Sequence, residues 1–370
     1  MTDRTKIFAM YLPQYHEIPE NSEFWGEGFT DWVGVKKASP LYKGHIEPRE
    51  PESGYYYDLS KKEDVAWQVS LAKEYGIDGF GIYHYWFNDE KNLLTKPAEI
   101  ILNNRELDLP FFFAWDNGSW KRTWSKISGG NDWAPLQDKE QKKDGPVILI
   151  PYELGGEKEW ENHFNWLLPF FKDSRYEKPD NKPLFLIYNY SSDLLPMVEF
   201  WNDLAVKNGF NGIRVIFRHD KLKNIPAELE KFNYEPQFSG WNSFYRRLKN
   251  KIYKTMGITK TKIYSYDKIW KKILRGAKKY GKDDILSGAF VSYDDTPRRG
   301  ENASIVKGDT PSKFENYLKR LADISKENGK EYIFLTAWNE WGEGAKLEPD
   351  KTFGREYLAA VKRVKESQNK

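Results

Sequence analysis

A (β/α)8 barrel is the fold class that this 370-residue chain predicts, and three observations carry the expectation. Eight apolar segments alternate with eight segments of helical periodicity, the pattern of parallel strands joined by helical crossovers. No internal repeat or linker breaks the alternation, so residues 1–370 read as one domain. The two longest loops each follow a strand, where a barrel gathers its functional face. A doubly wound open sheet is the main rival.

The strand candidates are 7–12, 79–85, 110–115, 184–188, 214–218, 236–241, 285–292 and 332–338. Each is a short apolar run, as a strand buried on both faces requires. Between them, apolar residues recur at three- and four-residue spacing over 61–75, 94–105, 157–172, 193–208, 225–232, 266–280, 311–328 and 354–367. Pro311 after Thr310 and the Ser192-Asp193 pair before Leu194 mark helix starts. Gly76, Gly209, Gly281 and Gly329 mark helix stops. The loops 13–59 and 116–157 run far beyond the usual dozen residues, which points to function. A third insertion, 242–263, opens a basic stretch that continues to 282.

Hydrophobic residues make up 39% and charged residues 31% of the chain, which excludes a disordered polymer or a membrane-spanning bundle. Aromatic content is 16%, an excess that can fill a core or stack on sugar rings. With no cysteine, disulfides and thiolate metal sites are impossible. The apolar run at 7–12 is too short for a signal peptide, and no run reaches 18 residues, so a cytoplasmic location is expected. Net charge is +3, yet residues 245–282 hold fourteen Lys/Arg against one acid, Asp267, leaving the remainder near −10.

The most informative stretch is 332–349. An apolar run from Tyr332 to Leu335 leads into Trp338, Asn339, Glu340, Trp341 and Glu343 within a glycine-broken turn. Two carboxyls between flat apolar faces are what acid/base work on a sugar requires. On an extended strand, residues three apart face opposite sides, so Gly342 and Gly344 are needed to turn both carboxyls toward one pocket.

Other strand ends repeat this chemistry. Tyr11, Gln14 and His16 follow the first strand, with Trp25 and Trp32 further along the loop. His84 and Trp86 end the second, Trp115 and Asp116 the third, and Trp241 the sixth. Asp294 and Arg298 follow the seventh. Aromatics beside hydrogen-bonding groups on one rim fit a carbohydrate cleft. Plainer readings stand beside these: His84 as a core histidine, Asp116 as a turn residue, and Arg298 as a counter-charge to the Asp294-Asp295 pair. The five histidines show no metal-ligand spacing, and neither a dinucleotide fingerprint, a P-loop nor a GxSxG elbow occurs. No metal and no cofactor is therefore expected.

These motifs resemble the glycoside hydrolase family 99-like proteins, in particular the WbsX branch associated with lipopolysaccharide biosynthesis. The resemblance runs nearly end to end and rests on Tyr11-Leu12-Pro13-Gln14-Tyr15-His16, the stretch from Phe24-Trp25 to Asp31-Trp32, and Gly81-Ile82-Tyr83-His84-Tyr85-Trp86-Phe87. It includes Asp294-Asp295-Thr296-Pro297-Arg298 and the highly specific Asn339-Glu340-Trp341-Gly342-Glu343-Gly344 block. It implies a (β/α)8 barrel with Glu343 as general acid/base. It also implies Glu340 as the base that deprotonates the substrate's 2-hydroxyl, with net retention. After the third strand, family relatives often carry Asn-Glu-Asn-Trp where this chain has Trp115-Asp116-Asn117-Gly118-Ser119-Trp120, so the sugar pocket differs.

A retaining glycosidase or transglycosylase on an α-linked glycan is thus expected, with a surface-polysaccharide glycosyltransferase or a lectin-like protein as rivals. The partner is a glycan. Nucleic acid is excluded by the acidic remainder and the lack of a recognition motif. The stretch 245–282 is read either as a weak membrane-surface contact or as a barrel helix with solvated lysines.

Overall fold

The computed structural model describes residues 4–121, 148–241, 248 and 261–368. Eight parallel strands close on themselves in chain order: β1 (Lys6–Tyr11), β2 (Gly79–Asn88), β3 (Phe111–Trp115), β4 (Leu184–Ile187), β5 (Arg214–Arg218), β6 (Lys231–Phe232), β7 (Ile285–Phe290) and β8 (Tyr332–Thr336). The seam is β1, which pairs with β8 through Phe8↔Phe334 and with β2 through Phe8↔Gly79. The expected barrel is therefore closed, and the open-sheet rival is excluded.

Among the described residues, seven helices of eight or more residues pack outside it: α1 (Lys62–Glu74), α2 (Lys96–Asn103), α3 (Glu157–Lys172), α4 (Leu194–Lys207), α5 (Tyr266–Lys279), α6 (Pro311–Glu327) and α7 (Glu356–Gln368). Their starts follow local chemistry. The Thr310 hydroxyl accepts the Lys313 amide at 3.2 Å ahead of Pro311, and Ser265 caps α5 in the same way.

The lumen is filled by aromatic rings. Phe8 and Phe112 lie 5.1 Å apart between centroids, and Phe334 lies 5.5 Å from both Phe112 and Phe232. β2 makes room for them by having no side chain at two lumen positions. A Cβ on Gly79 would lie 2.3 Å from the Phe8 ring, and one on Gly81 2.7 Å from Phe112. The aromatic excess is thus first a packing material.

One expected unit is displaced. The segment 236–241 forms a short helix, Gln237–Gly240, and the sixth strand is Lys231–Phe232, inside the stretch expected to be helical. Lys231 hides it, because a lysine argues against a barrel stave. Its ammonium turns back onto the carbonyls of Pro226, Ala227 and Leu229, which lets the backbone pair with β5 and β7. No helix occupies the β5–β6 crossover among the described residues.

The loop 13–59 carries two helices, Pro19–Trp25 and Asp31–Lys37. Most of the loop 116–157 and of the insertion 242–263 lies outside the described residues. In α5 the apolar stripe of Tyr266, Ile269, Trp270, Ile273 and Leu274 is buried on the barrel, leaving the lysines outward, as in the barrel-helix reading. No helix among the described residues is long and apolar enough to cross a membrane.

Candidate active site

The turn after β8 begins with a stitch across the seam. Asn339 is fully buried, and its amide donates to the Leu12 carbonyl at 2.9 Å and accepts the Leu12 amide at 2.7 Å. Tyr15 adds a second tie: its hydroxyl donates to the Asn339 carbonyl at 2.8 Å and accepts the Trp341 amide at 3.1 Å. The backbone on both sides of Glu340 is therefore held by the loop that follows β1.

A short 3-10 turn, Trp341–Glu343, then brings the second carboxyl round. Gly344 closes it at φ +57, and a Cβ there would press to 3.1 Å on Asp294. The indole N–H of Trp341 donates to Glu348 at 2.6 Å. Glu348 also accepts from Tyr57 and from Gln68, and Gln68 in turn accepts from Tyr11 at 2.6 Å. Burial raises the Glu348 carboxyl to about 7 despite these donors.

Glu340 and Glu343 meet at one guanidinium. Arg298 Nη2 lies 2.8 Å from Glu340 Oε1, and Arg298 Nη1 lies 3.1 Å from Glu343 Oε1. Asp31, on the Asp31–Lys37 helix, stands 3.6 Å from the same group. Arg298 fits because position 342 is glycine: a Cβ there would be 2.6 Å from its Nε. Burial drives the Glu340 carboxyl well above the usual range, opposed by Arg298 and reinforced by the negative charges of Glu343 and Asp31. Asp31 is raised for the same leading reason, burial.

The lumen side of the rim is a ring of tyrosines. Tyr83 hydrogen-bonds Tyr234 at 2.8 Å and accepts from Tyr188 at 3.0 Å, while Gln14 donates to Tyr85 at 2.9 Å. The Arg218 guanidinium lies 5.4 Å from the Tyr188 ring and donates to Asn189. Burial pushes Asp116 up to about 6, against the pull of Arg218. Carboxyls, an arginine and phenols thus converge at the C-terminal end of the barrel, where this fold places its chemistry.

The family model described as "Glycosyltransferase WbsX" matches residues 7–361. This chain belongs to that family. Among curated proteins, it is 28% identical over 373 residues to the uncharacterized protein WxcX of Xanthomonas campestris pv. campestris, in both strain ATCC 33913 and strain B100. The match covers 97% of this chain and 49% of the relative, so the chain spans about half the length of the curated relatives it matches. Among solved structures, it resembles the GH99 endo-α-mannosidase from Bacteroides thetaiotaomicron, with a TM-score of 0.59 at 14% identity over 100% of this chain and 98% of that one. A glycoside hydrolase-like protein gives 0.59 at 11% identity, covering 98% and 94%. These two likenesses are of fold.

The WbsX-family chain sorts its anticipated rim residues by strand parity. Tyr11, His84, Trp86 and Trp115 point outward, toward the helices. His84 meets His163 at 2.7 Å, Trp86 stacks on His163 at 4.3 Å, and Trp115 packs on Trp201 at 6.3 Å. Burial lowers His84 to about 3, as suits a neutral core histidine. Trp32, Trp338 and Trp341 are buried as well, Trp32 against Trp341 at 5.5 Å and Trp338 against Phe80 at 5.2 Å. His16 is buried near Asp58, Lys96 and Glu99, and burial lowers it. Trp25 and Trp241 are the partly exposed tryptophans of that set; Trp25 lies 6.0 Å from Phe29, and Trp241 lies against Tyr264 and Tyr293. Asn339 has both amide groups committed to Leu12.

Asp294 is buried, accepting from Thr296 and bonding His45 Nε2 at 2.6 Å. His45, Glu47 and Asp294 offer ligand atoms within 4.8 Å of one another, a grouping that no spacing in the sequence signals. Arg49 already supplies positive charge there, 3.7 Å from Glu47. The Leu41 amide donates to His45 Nδ1 at 3.0 Å, so Nε2 carries the proton toward Asp294. Asp31, Tyr85, Tyr188, Tyr234 and Arg218 belong to the site, yet sequence reasoning did not select them. Even-numbered spacing from Gly79 and Gly81 to Tyr83 and Tyr85 was the available signal.

Proposed function

We propose that this protein acts on glycosidic bonds as a retaining hydrolase or transglycosylase of an α-linked, mannoside-like glycan. The observation that carries this reading is the meeting of Glu340 and Glu343 at Arg298. In the proposed cycle Glu343, the more exposed carboxyl, protonates the leaving oxygen. Glu340 takes the proton of the substrate's own 2-hydroxyl, whose oxygen attacks the anomeric carbon. Glu343 then deprotonates the water, or the acceptor hydroxyl in transfer, that attacks the anomeric carbon; the bond from that carbon to O2 breaks, and Glu340 returns its proton to O2. Glu340 must be ionised to serve as base, and Arg298 is the group that favours that form against burial.

Gln14, Tyr85, Asp116 and Trp241 are proposed to bind sugar hydroxyls and faces around the acids. Trp25 and Arg298 would border the same cleft. Tyr11, His16, Trp32, His84, Trp86, Trp115, Asp294, Trp338, Asn339 and Trp341 are assigned supporting roles beneath it, from their burial and bonding.

The test is a leaving-group series. Glu343→Gln should lose turnover of a natural α-mannoside by about 10²–10⁴-fold, while retaining turnover of aryl glycosides with acidic leaving groups. Should Glu340→Gln show that selective rescue instead, the two roles are exchanged. Full activity of both variants on every substrate ends the proposal.

The family description favours a second reading, a glycosyltransferase, and surface-polysaccharide assembly is the setting proposed for it. Calorimetric binding of a nucleotide sugar together with product formation that needs this donor would establish it. Transfer from an oligosaccharide donor, abolished by Glu343→Gln, favours the first.

A further inference from the structure

One place on the outer wall of the barrel lacks its helix. The crossover from β5 to β6 runs without one among the described residues, and beside α5 lies a pocket of about 270 Å³. Its lining is cationic: Lys221 comes from the crossover, and Lys272, Arg275 and Lys279 come from α5. Spacings of three and four residues set those last three along one helix face. That face is distinct from the apolar stripe that packs on the barrel.

Ring and carbonyl groups position two of the cations. The Lys221 ammonium sits 3.9 Å from the centre of the Phe238 ring and donates to the Phe238 carbonyl. Lys272 donates to the Ser239 carbonyl at 3.2 Å. The charge of Glu235 acts on Lys221 and Lys272. Glu235 is the carboxyl in the lining, and its oxygens accept from the Ser239 hydroxyl at 2.6 Å and the Ser239 amide at 2.9 Å. Burial raises it to about 7, so it offers the cations a weakened countercharge.

With Glu235 as the one carboxyl in the lining, cations are in excess there, and like charges around one concavity favour the entry of an anion. We propose that this pocket binds a phosphate-bearing ligand. Phosphate matches the set better than a carboxylate does, because it carries up to two charges and presents several oxygens to the Arg275 fork and the ammonium groups. Phe238 and Tyr280 supply an apolar flank for whatever bears the phosphate. The inference is independent of the glycoside chemistry proposed above.

Titration calorimetry of the whole protein with inorganic pyrophosphate tests it. Saturable binding is expected, weakened at least tenfold in Arg275→Ala/Lys279→Ala. Lys268→Ala/Lys271→Ala, on the same helix outside the pocket, should retain it. No saturable binding by the unaltered protein, or an equal loss in both double variants, overturns the proposal. Circular dichroism confirms that each variant is folded. Co-sedimentation with phosphatidylcholine vesicles containing phosphatidic acid identifies the source. Pelleting lost only in the pocket variant supports a lipid phosphate, and pyrophosphate binding without pelleting supports a soluble phosphate ester.

Discussion

Arg298 stands between Glu340 and Glu343, 2.8 Å from one carboxyl and 3.1 Å from the other. A single cation thereby ties two acids that the chain separates by one turn. It also opposes the burial that raises Glu340. The relationship makes Arg298 an electrostatic control on the base as well as a positional one.

Replacing Arg298 by methionine removes the charge and keeps much of the stem. Glu340 then titrates still higher, because the cation that lowers it has gone. The acid limb of the kcat/KM profile, where the base must ionise, should move to higher pH. A limb that stays in place in a folded Arg298→Met variant contradicts the assignment of Glu340 as base.

Gly342→Ala is expected to disable the site with little loss of fold. The added methyl would start 2.6 Å from Arg298 Nε, so the guanidinium must shift from its three acidic neighbours. Turnover should fall at least tenfold, while stability drops by about 1–3 kcal/mol, the usual cost of overpacking. Wild-type kinetics would show that the close approach has no role.

Asn339→Ala should destabilise the protein by about 2–5 kcal/mol, since it strands the buried amide and carbonyl of Leu12. Urea denaturation measures this. Asn339→Asp keeps an acceptor for the Leu12 amide and should lie between the two. A loss below about 1 kcal/mol for the alanine variant would mean that the seam is held elsewhere.

Glu348 predicts a pH dependence of stability. Its folded carboxyl titrates at about 7, against about 4.3 in an unfolded chain. The native state therefore retains a proton that the unfolded state gives up between these values. This contribution is fully present below about 4.3 and is lost as pH rises through about 7. Stability of the wild type relative to Glu348→Gln should decline across that window, and parallel curves would refute the linkage.

Much of the barrel is legible in the chain because staves and crossovers have different periods. Seven of the strand segments coincide with staves, and the exception, Lys231–Phe232, is masked by a lysine whose charge is absorbed by three nearby carbonyls. Glu340, Glu343 and Arg298 were legible as chemistry, although nothing in their spacing foretells that one arginine joins them. The tryptophans misled for a physical reason. An indole beside a polar group looks alike whether it faces sugar or a helix, and only strand parity separates Trp86 from Tyr85. Applied from Gly79 onward, that parity would have chosen the tyrosines.

The bond from Asn339 to Leu12 spans 327 positions of chain. A barrel whose β8 has not yet paired therefore cannot shape the carboxyl pair, however well its other staves have folded. Pairing of β8 with β1 is therefore the step that assembles the two acids, and a barrel open at this seam has no such pair.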